Sequence, residues 1–191
     1  MITKTESFDS DPGWEGVRPT LGLSAYRVGT PGGDIYSIGP SVGVEYRASG
    51  GSLEVDVGYS FKDSDSAQPF FGGSEDGATT GVHAEYWGDG TWGLQGIASY
   101  NWGSEYLWSR GRVTRRVVDL GPGSSLNLGG EAVWQGETGD ELGDPYRVTQ
   151  FGPVVQWITG ANWILAGSGG WKNIENQDDT WYGKLEVVFT P

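Results

Sequence analysis

Apolar and polar residues alternate at a period of two along most of the chain, the spacing at which successive side chains of a β-strand point to opposite faces. In YSIGPSVGVEYRA one face carries Tyr36, Ile38, Pro40, Val42, Val44, Tyr46 and Ala48, and the other Ser37, Gly39, Ser41, Gly43, Glu45 and Arg47. SLEVDVGYSFK separates Leu53, Val55, Val57, Tyr59 and Phe61 from Ser52, Glu54, Asp56, Gly58, Ser60 and Lys62. Weaker copies occupy approximately 16–28, 77–87, 91–102, 106–118, 124–136, 146–158, 161–172 and 179–189, so the pattern predicts ten strands. Each is long enough to cross a bilayer core at a tilt. Helical spacing fits none of them, and no apolar run reaches the roughly 18 residues of a membrane-spanning helix.

The connections alternate in length. Short links fall near 49–51, 88–90, 119–123 and 159–161, and longer ones at 29–35, 63–76, 137–145 and 173–178, with a tight turn at 103–105 as the exception. With both termini on one side, the short links share that side and the long ones the other, as in bacterial outer-membrane barrels. Aromatic residues of the apolar face collect at the strand ends. Tyr46, Tyr86, Trp92, Trp157, Trp163 and Phe189 lie toward the terminus side, and Tyr36, Phe61, Tyr100, Trp102, Trp134, Trp171 and Trp181 toward the loop side. Smaller aliphatic residues lie between the two groups, the arrangement of a lipid-facing band between interfacial girdles.

The fold expected is all-β: a ten-stranded antiparallel up-and-down transmembrane β-barrel with short periplasmic turns and longer acidic external loops. Residues 1–15 form an N-terminal extension and 16–191 a single barrel domain. A closed barrel of even strand number satisfies every backbone group in lipid without leaving an edge. The competing reading is a soluble β-barrel binding protein with its apolar face inward, since alternation alone does not say which face is enclosed. The polar face favours the first. It is built of Gly, Ser, Thr, Asn and isolated charges rather than the Lys and Glu of a soluble exterior. Arg115 falls on the lipid-facing parity, which calls for a position low enough to snorkel or for a bulge that shifts the register.

Composition narrows the chemistry. The formal net charge of −13 removes a basic nucleic-acid-binding face, and the absence of cysteine removes disulfides, thiolate metal sites and cysteine nucleophiles. The first residues, MITKTESFDSDPGW, lack a basic segment followed by an apolar one, so an outer-membrane location implies that a signal peptide is absent from this sequence.

Projected inward, the polar faces bring together a lumen network of Glu45, Arg47, Glu54, Asp56, Lys62, His83, Glu85, Arg110, Arg112, Arg116, Glu131, Lys184 and Glu186, joined by Arg18 and Lys172. Unpaired charge in a narrow lumen is unfavourable, so these groups are expected to pair and fill the bore. Ten strands is close to the eight-stranded size that side chains can fill. Arg110, Arg112 and Arg116, on one face of one strand, also suit an anion ladder in a narrow ion or small-solute channel. His83 and Glu85 are the one candidate for acid–base chemistry, but no nucleophile motif accompanies them, and no enzyme activity is expected. No grouping with zinc spacing occurs and no cofactor is implied. The loops concentrate Asp63, Asp65, Glu75, Asp76, Glu137, Asp140, Glu141, Asp144, Glu175, Asp178 and Asp179, oxygen ligands that could take divalent cations or bridge to lipid phosphates. Solvated loops account for them as well.

GVHAEYW at 81–87, GIASYN at 96–101, EYLWSRGRV at 105–113, QFGPVVQW at 150–157 and YGKLEVVF at 182–189 resemble the BcsS family, small proteins associated with bacterial cellulose biosynthesis loci. The resemblance covers roughly residues 77–190. It implies an outer-membrane location and a non-enzymatic accessory or scaffold part in exopolysaccharide production or export, with membrane lipid, polysaccharide and secretion-machinery proteins as partners. It transfers no catalytic residue.

Overall fold

A computed structural model describes residues 2–7, 14–30, 33–64, 76–88, 90–138, 147–159 and 163–189. Ten long strands run antiparallel in one up-and-down sheet: β2 (Gly16–Thr30), β3 (Gly33–Ala48), β4 (Gly51–Ser64), β5 (Gly77–Tyr86), β6 (Trp92–Asn101), β7 (Tyr106–Gly121), β8 (Ser124–Glu137), β9 (Arg147–Ile158), β10 (Trp163–Ile174) and β11 (Thr180–Phe189). A shorter strand, β1 (Ile2–Ser7), precedes them and pairs with β2, from Ile2 opposite Ala25 to Ser7 opposite Thr20. The segment read as an extension therefore contributes a strand. Every neighbour in the sheet is also a neighbour in sequence, and among the described residues there is no helix.

The period-two pattern sets the two faces. On β3 and β4, Tyr36, Ile38, Val42, Val44, Tyr46, Leu53, Val55, Val57, Tyr59 and Phe61 are exposed, whereas Ser37 and Glu45 are buried on the opposite face. The polar face is the concave one. Arg110 on β7 donates from Nη1 to Glu186 Oε2 on β11 at 2.9 Å. Four strand spacings of a flat sheet would separate these strands by about 19 Å, beyond the combined reach of the two side chains. The sheet thus curls around its polar side chains and turns its apolar ones outward. Four apolar residues, Val133, Val148, Val154 and Ala166, are buried on the concave side of β8–β10.

Small residues on the concave face permit the curl. A Cβ on Gly129 would collide with the Val113 carbonyl oxygen, and one on Gly81 would strike the Asp56 carboxylate. No backbone pairing joins β11 to β1 or β2 among the described residues, so the curled sheet has an open seam. At that seam Trp181 and Leu185 are 82% and 90% exposed.

Two expectations about the connections change. The link expected at 29–35 is nearly all strand, because Arg27–Thr30 pair with Gly33–Tyr36 and only residues 31–32 separate β2 from β3. The strand expected at 106–118 continues to Gly121, with register shifts between Arg116 and Val118 and between Asp119 and Gly121. Those shifts lie beyond Arg115, which stays on the outward face.

Candidate functional site

The interior is organised around β7. Its inward residues alternate as Trp108, Arg110, Arg112 and Thr114, which places two guanidiniums one above the other on the concave wall. Arg112 donates from Nε and Nη2 to Glu131 Oε2 on β8 at 3.1 and 2.5 Å, and from Nη2 to Glu186 Oε2 at 2.7 Å. Lys184 Nζ on β11 and Ser168 Oγ on β10 donate to the other oxygen of Glu131 at 2.6 and 3.3 Å. Glu131 is 1% exposed and Arg112 6%. A carboxylate and a guanidinium removed from water to this degree are tolerated only with multiple charge-assisted hydrogen bonds, which this cluster supplies.

The network continues toward β5. Arg110 Nη2 donates to Gln95 Oε1 at 2.6 Å, Gln95 Nε2 donates to Glu85 Oε1 at 2.6 Å, and the same oxygen lies 3.1 Å from His83 Nε2. One hydrogen-bonded chain therefore runs from His83 through Glu85, Gln95, Arg110, Glu186, Arg112 and Glu131 to Lys184. His83 joins this chain through Glu85, and Glu85 Oε1 is shared between His83 and Gln95.

A second cluster lies on the concave face toward the terminus-side ends of β2–β4. Glu45 accepts from Arg18 Nη2 at 3.0 Å and from Arg47 Nη2 at 2.9 Å. Thr20 Oγ1 donates to Glu54 Oε1 at 2.7 Å. The indole of Trp14 lies over both arginines, 4.1 Å from Arg18 Cζ and 5.4 Å from Arg47 Cζ, and Trp87 lies 6.0 Å from Arg47 Cζ. Asp56 sits between these clusters over Gly81.

Two residues expected in the network stand apart from it. Arg116 is exposed beyond the end of β6, against the turn at Gly90, because β7 outruns its neighbour there. Lys62 lies at the loop-side end of β4, where its backbone N–H donates to Asp76 Oδ1 at 3.1 Å. Conversely, Gln95, Ser168, Thr20 and Trp14 take part without having been singled out. For Gln95 and Ser168 the signal was available, since each occupies the inward parity of its strand. Trp14 precedes the first long strand, and no periodicity marks it.

The aromatics expected to form girdles lie on the face to which parity assigns them. Tyr36, Tyr46, Phe61, Tyr86, Trp92, Trp102, Trp157, Trp163, Trp171 and Trp181 are exposed, and Tyr100 and Trp134 are half-exposed. Trp102 belongs to the turn after β6 rather than to a strand, and packs edge-on against Tyr100 with ring centroids 4.9 Å apart. Tyr59 and Phe151 join the outward face. The side chain of Phe189 lies outside the described residues.

Of the acidic loop residues, Asp65, Glu75, Asp140, Glu141 and Asp144 lie outside the described residues. Glu175 pairs with Arg147 at 3.7 Å, and Asp179 Oδ1 accepts from Asn173 Nδ2 at 2.8 Å. Hydrogen bonds from Asn173 and Trp171 hold the Asp179 carboxyl below its ordinary titration range. Among the described residues no group of three or more acids and histidines has the geometry of a metal site.

Strand order, facing and interior define an up-and-down, polar-cored curled sheet with an apolar exterior. The chain matches no protein-family model, no curated protein and no solved structure.

Proposed function

We propose that the chain is a closed ten-stranded outer-membrane β-barrel with a side-chain-filled interior, acting as an accessory or scaffold rather than as a wide pore or an enzyme. The observation that carries this reading is the bonding of Arg110 and Arg112 on β7 to Glu186 on β11, across the concave face. It encloses the charged residues and leaves Val, Leu, Tyr and Trp side chains facing outward, the distribution that hydrocarbon requires and water does not.

Closure joins β11 to β2. These strands run in opposite directions and form the antiparallel pair of an even barrel, whereas β1 and β11 run parallel. β1 holds the β2 edge along Thr20–Ala25, so β11 takes over that edge when the barrel closes. Cysteine at Leu23 on β2, paired in turn with cysteine at Gly183, Leu185 or Val187 on β11, is expected to cross-link in detergent-refolded protein for at least one pair. The folded band should migrate differently on unheated and heated gels, and liposomes containing it should show negligible solute flux. A monomer that stays dissolved in buffer without surfactant overturns the membrane reading; single-channel steps overturn the filled interior in favour of a narrow channel.

The resemblance of residues 77–190 to the BcsS family is what supports an accessory part in exopolysaccharide production or export. Loss of the protein should then lower secreted polymer.

A further inference from the structure

β1 and β11 are rival occupants of one strand edge, and their residue patterns are opposite. β1 runs antiparallel along β2 with Lys4 opposite Leu23 and Glu6 opposite Leu21, and with Thr3, Thr5 and Ser7 opposite Ser24, Gly22 and Thr20. Residues directly opposite in an antiparallel pair share a face of the sheet. Leu21 and Leu23 are exposed on the outward, apolar face, while Thr20 is buried on the concave one. The register therefore assigns both charged residues of β1 to outward positions, and its threonines and serine to inward ones. β11 is sorted the other way. Lys184 and Glu186 bond within the concave network, and Trp181, Leu185 and Val187 are exposed outward.

We infer that β1 is a removable strap: it covers the β2 edge while the chain is in water, and hydrocarbon expels it from that edge and admits β11 in its place. The inference rests on the membrane reading above and adds to it the event that triggers closure. In water an unpaired strand edge is a template for association with other chains, and β1 covers such an edge along Thr20–Ala25. Charged residues at outward positions suit that state. Lipid reverses the preference. Lys4 stands opposite Leu23, midway along β2 (Gly16–Thr30), so a β1 kept in place would set a lysine near the middle of the lipid-facing band. A lysine on the lipid face at the bilayer midplane disfavours insertion by roughly thirtyfold or more. A sheet that ends in β1 also leaves a row of backbone groups without partners in hydrocarbon. Exchange for β11 removes both costs and gives the antiparallel closure of an even barrel.

The test uses the full chain carrying Thr3→Cys and Ser24→Cys, diluted from urea into buffer, with phosphatidylcholine vesicles added afterwards. A short bifunctional maleimide reports β1 beside β2, and the β11–β2 cysteine pairs given above report closure. Before vesicles are added, the cross-link between positions 3 and 24 should form. In vesicles it should fall by roughly tenfold or more as the β11–β2 cross-link appears. Cross-linking positions 3 and 24 first should lower the yield of inserted, heat-modifiable protein by a similar factor. Lys4→Leu with Glu6→Leu should keep β1 beside β2 in vesicles and reduce closure. Equal cross-linking of positions 3 and 24 in buffer and in vesicles, none in buffer, or a leucine variant that closes as the native chain does overturns the strap. A native chain that never enters vesicles overturns the membrane reading; one that enters and joins β11 to β2, with insertion indifferent to the lock on β1, overturns the strap alone.

Discussion

The two charged clusters of the interior solve the same problem differently. Around Glu131, on β8, the partners come from β7, β10 and β11, and the carboxylate is sealed from solvent. Around Glu45 the partners come from the same strand and its immediate neighbour, and Arg47 keeps 27% of its side chain exposed. The first cluster ties together strands that are distant in the sheet and so helps hold its curvature. The second, toward the terminus-side strand ends, would persist in a much flatter sheet. A buried ion network is sensitive to loss of one member, because the remaining charges are left without solvent or partner.

Glu131→Ala tests this contrast most severely. It strips Arg112, Lys184 and Ser168 of their shared acceptor and should destabilise the folded protein by about 3–5 kcal/mol, measured by urea titration after refolding in detergent. Glu186→Ala should cost about 1.5–3 kcal/mol, since Arg112 retains Glu131 but the bond from Arg110 to β11 is lost. Gly129→Ala should cost about 1–3 kcal/mol by overpacking the concave wall against the Val113 carbonyl. Arg47→Ala should cost only about 1 kcal/mol, because Arg18 continues to satisfy Glu45. If Arg47→Ala proves as damaging as Glu131→Ala, the distinction between the clusters fails.

The smallest effect belongs to the β10–β11 turn. Asn173→Ala should move the Asp179 carboxyl upward toward the ordinary aspartate value of about 3.9, as followed by NMR titration. The sign follows from linkage. A carboxyl held low in the folded state stabilises that state above its unfolded pKa, and the stabilisation is lost as pH falls through the lowered value. Asp179 is fully solvent-exposed, so this turn should report locally without moving the global transition.

Much of the fold was legible because strand parity is a local property. Alternation at Tyr36–Ala48 and Leu53–Phe61 reflects the geometry of one extended segment, and the side-chain sorting on β3 and β4 follows it residue by residue. Arg116 shows where locality ends. Its parity is inward, but β6 is too short to stand beside it, and the length of a neighbouring strand is not written at position 116. The β2–β3 connection illustrates the converse. A Gly- and Pro-bearing stretch reads as a loop until pairing between Arg27–Thr30 and Gly33–Tyr36 supplies the hydrogen bonds that make it a strand. Trp14 escaped because stacking on Arg18 and Arg47 requires all three residues to be brought together in space.

The sequence by itself determined the ten long strands, their antiparallel order and which residues share a face, because each follows from a two-residue period and short connections, whereas β1 emerged only from its pairing with β2. Only the tertiary structure decided which face is enclosed, since a flat sheet with the same alternation can curl either way. The bonds from β7 to β11 reveal that choice: Arg110, Arg112 and Glu186 meet only when the polar face is concave. Partner choice among charges was likewise left to the fold, because residues more than 70 positions apart become neighbours through curvature rather than through chain spacing.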